Sequence, residues 1–125
     1  MDDKKMTPDE IEAYLMNFSG SEHLYRHWTK RFVYTDGPKW LADTCGAHWL
    51  IDAIASHQPQ AMKDRKLAEF QVWELRVNDD RSCSVVCLRD EDDEAFRQEI
   101  EWTDFPLKTI RFYLENGTLI LPNER

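Results

Sequence analysis

The sequence predicts an α+β domain, with amino-terminal helices packed on one face of a four- to five-stranded antiparallel sheet. Three observations carry that expectation. Apolar residues recur at helical spacing in the first half of the chain, as in Ala47, Leu50, Ile51 and Ile54. From Phe70 onward the period becomes two, as in Trp73, Leu75 and Val77. Asn116-Gly117, set between the alternating runs Ile110–Leu114 and Thr118–Leu121, is the strongest short hairpin signal a sequence offers.

Each element follows from local chemistry. Thr7-Pro8-Asp9-Glu10 starts a helix, with Thr7 as cap, Pro8 at the first position and Glu10 completing a capping box. That helix is expected to run to about Asn17, with Ile11, Tyr14, Leu15 and Phe18 on its apolar face and Ser19-Gly20-Ser21 ending it. Glu22 to Val33 is mixed, and reads as a short hairpin or irregular arm, or as a contact surface. In Tyr34-Thr35-Asp36-Gly37-Pro38, Asp36 is expected to cap a second helix, Gly37 to take a backbone angle other residues avoid, and Pro38 to open the helix.

Trp40, Leu41 and Thr44 share a face of that helix, and a shift of the apolar face at Gly46 argues for a break. The stripe Ala47, Leu50, Ile51, Ile54, widened by Trp49 and Ala53, is the expected core helix. Pro59 ends it near Ser56 or His57 and sets Gln58 outside it. Gln58-Pro59-Gln60 and Met62-Lys63-Asp64-Arg65-Lys66 read as a polar connection, with room for one helical turn. Phe70–Val77 and Cys83–Leu88, joined by Asn78-Asp79-Asp80-Arg81, form a hairpin with Trp73, Leu75 and Val77 towards the core. Phe96, Gln98, Ile100 and Trp102 mark a further strand before Phe105-Pro106-Leu107 interrupts it, and the Asn116-Gly117 hairpin closes the sheet.

At 125 residues the chain is expected to form a single domain, 1–125, too short for a cofactor domain plus a substrate domain. Sixteen basic against 24 acidic residues give a net charge of -8, which argues against direct binding of nucleic acid. No run is long and apolar enough to span a bilayer, and Met1-Asp2-Asp3-Lys4-Lys5 lacks a signal-peptide core, so a cytoplasmic location and no membrane partner are expected. The odd set Cys45, Cys83 and Cys87 fits a reducing compartment. Cys83 and Cys87 read as small buried hydrophobes rather than metal ligands.

Two stretches are candidate partner-binding sites. Tyr25, Arg26 and Trp28 lie in the one locally basic, aromatic passage, and such side chains carry interfaces. Asp90, Glu91, Asp92, Asp93 and Glu94 form the densest charge run, which lacks the glycine and terminal glutamate of a calcium loop and suits mimicry of phosphate charge towards a basic partner. Tyr25, Trp28, Trp40 and Trp102 are candidate anchors. Cys45 with His48 could form an activated thiolate, and His23 with His27, four apart, could begin a metal site. Neither pair has a third group, and no cofactor, metal or catalytic residue is expected.

Phe18-Ser19-Gly20-Ser21-Glu22, Tyr25-Arg26-His27-Trp28, Tyr34-Thr35-Asp36-Gly37, Trp49 to Ser56, Asp104-Phe105-Pro106-Leu107 and Asn116 to Pro122 together give a resemblance over nearly the whole chain. The chain resembles a small uncharacterised bacterial family, one of the domains of unknown function met in cyanobacteria, plasmids and phages. The resemblance implies a compact domain and carries over no catalytic residue. The mobile-element setting favours proteins that bind host or defence proteins. The expected function is therefore a non-enzymatic acidic protein-interaction module with a basic protein partner, in the form of a phage- or plasmid-encoded inhibitor of a nucleic-acid-handling host or defence complex. The alternatives are a small enzyme or metal-binding protein using Cys45/His48 or His23/His27, and a self-associating structural module, for which a homodimer is the natural form.

Overall fold

The structure, a computed structural model, describes residues 6–19, 23–90 and 92–125. In chain order its elements are α1 (Pro8–Leu15), β1 (Tyr25–Arg26), β2 (Val33–Tyr34), α2 (Asp36–Cys45), α3 (His48–Ser56), α4 (Gln58–Ala61), α5 (Arg65–Glu69), β3 (Phe70–Val77), β4 (Cys83–Leu88), β5 (Glu94–Ile100), β6 (Thr109–Glu115) and β7 (Thr118–Ile120). A 3-10 turn, Pro122–Glu124, follows β7. The α+β class is as expected. The sheet differs: it has seven strands in the order β1-β2-β7-β6-β3-β4-β5, and it is mixed. β1 and β2 come from the mixed stretch before α2, so helices and strands interleave. β2 pairs parallel with β7 through Val33–Thr118 and Tyr34–Leu119, while the other pairings are antiparallel.

Strand alternation places the core on one face. Trp73, Leu75, Val85, Cys87, Phe112, Leu114 and Leu119 pack there against Ile11, Leu15, Leu41, Leu50, Ile51, Ile54 and Leu67 of the helices. Each large side chain fully buried in this way contributes about 1.5–3 kcal/mol. Cys83 and Cys87 are buried in the same core, as expected for small hydrophobes. The opposite face carries a small strand-only cluster of Val72, Val86 and Leu88 with Phe70 and Tyr113. The Arg125 guanidinium lies 5.0 Å from the Phe70 ring and 5.4 Å from the Tyr113 ring, covering part of it.

The helix ends show where local signals suffice. At α1 the Thr7 N–H donates to Glu10 (2.8 Å) and the Glu10 N–H to Thr7 Oγ1 (3.1 Å), the expected capping box. α1 stops at Leu15, short of Asn17, where the Asn123 side-chain amide donates to the carbonyls of Leu15 (2.8 Å) and Phe18. Gly46 breaks α2 from α3, in the left-handed conformation at φ 62°.

Three expectations are corrected. α2 starts at Asp36 behind Thr35, and Pro38 is its third residue rather than its first. Gly37 does not take a positive φ; a side chain there would bring its Cβ to 2.3 Å from Glu124 Oε1 and 2.6 Å from Leu121 Cδ1. Its need for glycine comes from the close approach of the chain's own carboxy-terminal segment. Gln58, placed outside any helix by Pro59, opens α4 instead, because proline is tolerated in a first turn and the buried Gln58 amide is held from both sides. It donates to the Ile54 carbonyl (3.1 Å) and to Gln71 (2.9 Å).

Candidate partner-binding surface

The loop between β1 and β2 carries the aromatic candidates. Tyr25 is half-buried: its hydroxyl donates to Asp36 Oδ1 (3.0 Å) and its ring stacks on Tyr34 at 5.8 Å. Arg26 is exposed. Trp28 is 76% exposed, with its indole N–H donating to Asp52 Oδ1 of α3 (3.0 Å). His27, beside it, is 3% exposed. The Thr29 N–H donates to His27 Nδ1 (3.2 Å), so the ring proton sits on Nε2 and donates to Asp52 Oδ1 (2.7 Å). Thr29 Oγ1 lies 2.8 Å from Nδ1. Thr29, His27 and Asp52 thus stand in the order of nucleophile, base and orienting acid. Their chemistry is that of a latch: the ring is packed between Trp28 and Phe32, and Nδ1 already accepts from the backbone.

α3 connects Trp28 to a second exposed indole. Trp49 and Asp52 lie one turn apart on its outer side, and Trp49 lines a shallow hollow of about 210 Å³ with Ile100, Trp102, Thr103 and Asp104. Trp102 is 62% exposed. It was expected to continue the strand, but β5 ends at Ile100, opposite the first residue of β4, Cys83. Beyond that point Arg81 takes over. Its carbonyl accepts from the Thr103 N–H (2.8 Å), and its guanidinium donates to the carbonyls of Thr103 (3.0 Å) and Phe105 (2.5 Å). These bonds fix the loop that presents Trp102 and Asp104. Trp40, by contrast, is stacked on Tyr14 at 4.3 Å.

The acidic run lies elsewhere. Asp90, Asp92 and Asp93 are exposed between β4 and β5 and Glu94 is exposed as the first residue of β5, at the sheet edge opposite β1; Glu91 lies outside the described residues. Arg89 pairs with Asp64 (2.8 Å) and Asp93 (3.2 Å), and Arg97 with Glu94 (2.8 Å). The two stretches singled out in the sequence therefore do not meet, and part of the acidic charge is balanced locally.

The chain matches the model of a family of unknown function, DUF6876, over residues 9–125. It belongs to that family. No curated protein and no solved structure matches it.

Among the chemistry-bearing groups of this DUF6876 chain, Cys45 is the last residue of α2, at a helix carboxy terminus rather than an amino terminus. Burial first, and then the Asp104 carboxylate, push its thiol up to about 11. His48 Nε2 faces Asp43 (2.7 Å), and His23 Nδ1 faces Asp36 (3.3 Å) while His27 faces Asp52. Among the described residues no group of three or more His, Cys, Asp and Glu is placed to hold a metal ion, and no helix is long and apolar enough to cross a membrane. Sequence reasoning named Trp28 and Trp102 and placed Trp49 on the core stripe; Trp49 does pack on the core, partly buried, and also lines the hollow, while Asp104 was not singled out as a site residue. The interrupting Pro106 was the available signal that the chain turns there and exposes its neighbours.

Proposed function

We propose that this chain is a non-enzymatic protein-interaction module whose partner presents a basic surface. The observation that carries the reading is the pair of exposed indoles, Trp28 and Trp102, flanking α3 with Asp52 and Asp104 beside them. Tryptophan is the residue type most enriched among interface anchors, and carboxylates next to it select a cationic partner. The net charge of -8 adds long-range attraction of the same sign. In this reading Arg26 and Tyr25 border the surface, and Asp90 to Glu94 act at a distance, by field rather than by contact. The phage or plasmid setting implied by the resemblance suits an inhibitor of a nucleic-acid-handling host or defence complex, since such complexes expose channels of complementary charge.

The test compares the wild-type chain with Trp28→Ala and Trp102→Ala as baits in native host lysate, at low and at high salt. A stoichiometric partner that the wild type retains, and that both variants and high salt release, is expected. A partner held equally by all three baits would sink the assignment of this surface.

A further inference from the structure

We infer that the hollow between Trp49 and Trp102 is a receptor for one cationic side chain, lysine or arginine, of the partner. The inference rests on the reading above only in taking that side chain to belong to a protein. Three features of the hollow converge on a cation. Two indoles supply its walls, and tryptophan has the most favourable ring face for an ammonium or guanidinium group. Asp104 stands at the rim, exposed, and among the described residues it makes no hydrogen bond or ion pair with a basic side chain. Ile100 and Thr103 complete the lining, giving apolar contact to an aliphatic stem.

Size and charge limit the occupant. At about 210 Å³ the hollow is smaller than the sites of about 300–1,000 Å³ that take whole cofactors or drug-sized ligands. It matches one side chain. A nucleotide phosphate is disfavoured by Asp104 and by Glu101, the exposed neighbour of Trp102. The negative field is already felt within the fold, since Asp104 helps to raise the Cys45 thiol. The site is also held in place: Arg81 ties the Thr103 and Phe105 backbone on either side of Asp104, so the receptor exists before the partner arrives.

The experiment follows the indole N–H resonances of the full chain by NMR, while N-acetyl-arginine amide and N-acetyl-lysine amide are titrated at matched ionic strength. The neutral N-acetyl-citrulline amide and N-acetyl-norleucine amide serve as controls, and Trp49→Phe and Trp102→Phe assign the signals. The Trp49 and Trp102 signals are expected to shift saturably with the cationic probes alone, while Trp28, bonded to Asp52, and Trp73, bonded to Gln71, stay in place. Asp104→Asn should weaken the response about threefold to fivefold, the range of an exposed ion pair. Three results would overturn the inference: equal shifts with the neutral probes, no shift of Trp49 and Trp102 up to about 0.1 M probe, or shifts that track protein concentration without any probe, which would make the occupant a second copy. Failure here with continued partner loss in Trp28→Ala and Trp102→Ala would leave the surface and remove the cation receptor. A positive titration with an unchanged partner would do the reverse.

Discussion

The amino end of α2 and the outer side of α3 treat polar and aromatic groups in opposite ways. At α2, the Glu124 carboxylate accepts from Thr35 Oγ1 (2.9 Å), the Gly37 N–H (3.1 Å) and the Leu121 N–H (2.9 Å), while Asp36 takes the Tyr25 hydroxyl and the His23 ring. Residue types that looked functional in the sequence are there consumed by the fold. At α3, the indoles of Trp28 and Trp102 stand in solvent, and the exposed Asp104 lines the hollow beside Trp102. The difference teaches that residue type alone does not mark a site. A group that closes a helix end or a buried amide is explained by the structure that it completes; a large apolar ring left exposed beside a carboxylate is not.

The sharpest way to break that contrast is to remove one group of each kind. Gln71 lies on the core face of β3, where its amide donates to Gln58 Oε1 (2.9 Å) and the Leu67 carbonyl (3.0 Å) and its oxygen accepts from Trp73 Nε1 (2.7 Å). Gln71→Ala strands these partners in a dry core and should lower stability by about 3 kcal/mol, read from urea unfolding. Trp102→Ala, at the solvent side, should stay within about 0.5 kcal/mol of wild type. Comparable losses would show that Trp102 is structural and that the two regions do not differ as described.

A smaller effect refines the α2 side. Gly37→Ala forces a Cβ against Glu124 and Leu121 and should cost about 1–3 kcal/mol. Glu124→Ala removes the hydrogen bonds from Thr35 Oγ1 and the Gly37 N–H at the helix entry and from the Leu121 N–H in its own turn, and should cost about 2 kcal/mol. The two substitutions share one contact, so the double variant should lose less than the sum of the singles. Strict additivity would mean that Leu121, not the carboxylate, is what requires glycine at this position.

The same contrast explains which parts were legible in the sequence. The capping box at Thr7, the break at Gly46, the alternation of β3 and the Asn116-Gly117 turn, with φ 53° and 77°, are set by neighbours within a few residues. β1 and β2 are two residues each, too short for a period, and β2 gains its place from β7, far along the chain. The expected backbone role of Gly37 failed for the same reason, since Glu124 is the distant cause. At the surface, Trp28, Trp49 and Trp102 are each visible as aromatics, but their common neighbourhood exists only once α3 lies between the β1–β2 loop and the end of β5. Periodicity assigned Gln71 to a face, and no pattern shows that its amide would find three partners there.

The weakest expected effect separates carboxylates by how they are held. Asp64 lies below its ordinary range, first because of the Arg89 hydrogen bond and then through the Leu67 N–H. For Glu74, burial raises the carboxyl, and the hydrogen bonds from Arg111 and Arg76 outweigh it, so the net direction is also down. A depressed folded value means that the stabilisation is fully present above the unfolded value, 4.5 for Glu74, and is lost as pH falls through the folded one. The urea midpoint should therefore decline below about pH 4.5, and Glu74→Gln should flatten that decline by under about 1 kcal/mol. Asp90→Asn and Asp92→Asn, in the exposed run, should leave the stability at neutral pH within about 0.5 kcal/mol of wild type. A loss of more than about 1 kcal/mol at neutral pH in the Asp90 and Asp92 variants instead would place native charge interactions in the loop between β4 and β5. The acidic run would then belong with the groups at α2, as part of what holds the fold, and its role as a remote source of field towards a basic partner would lose its support.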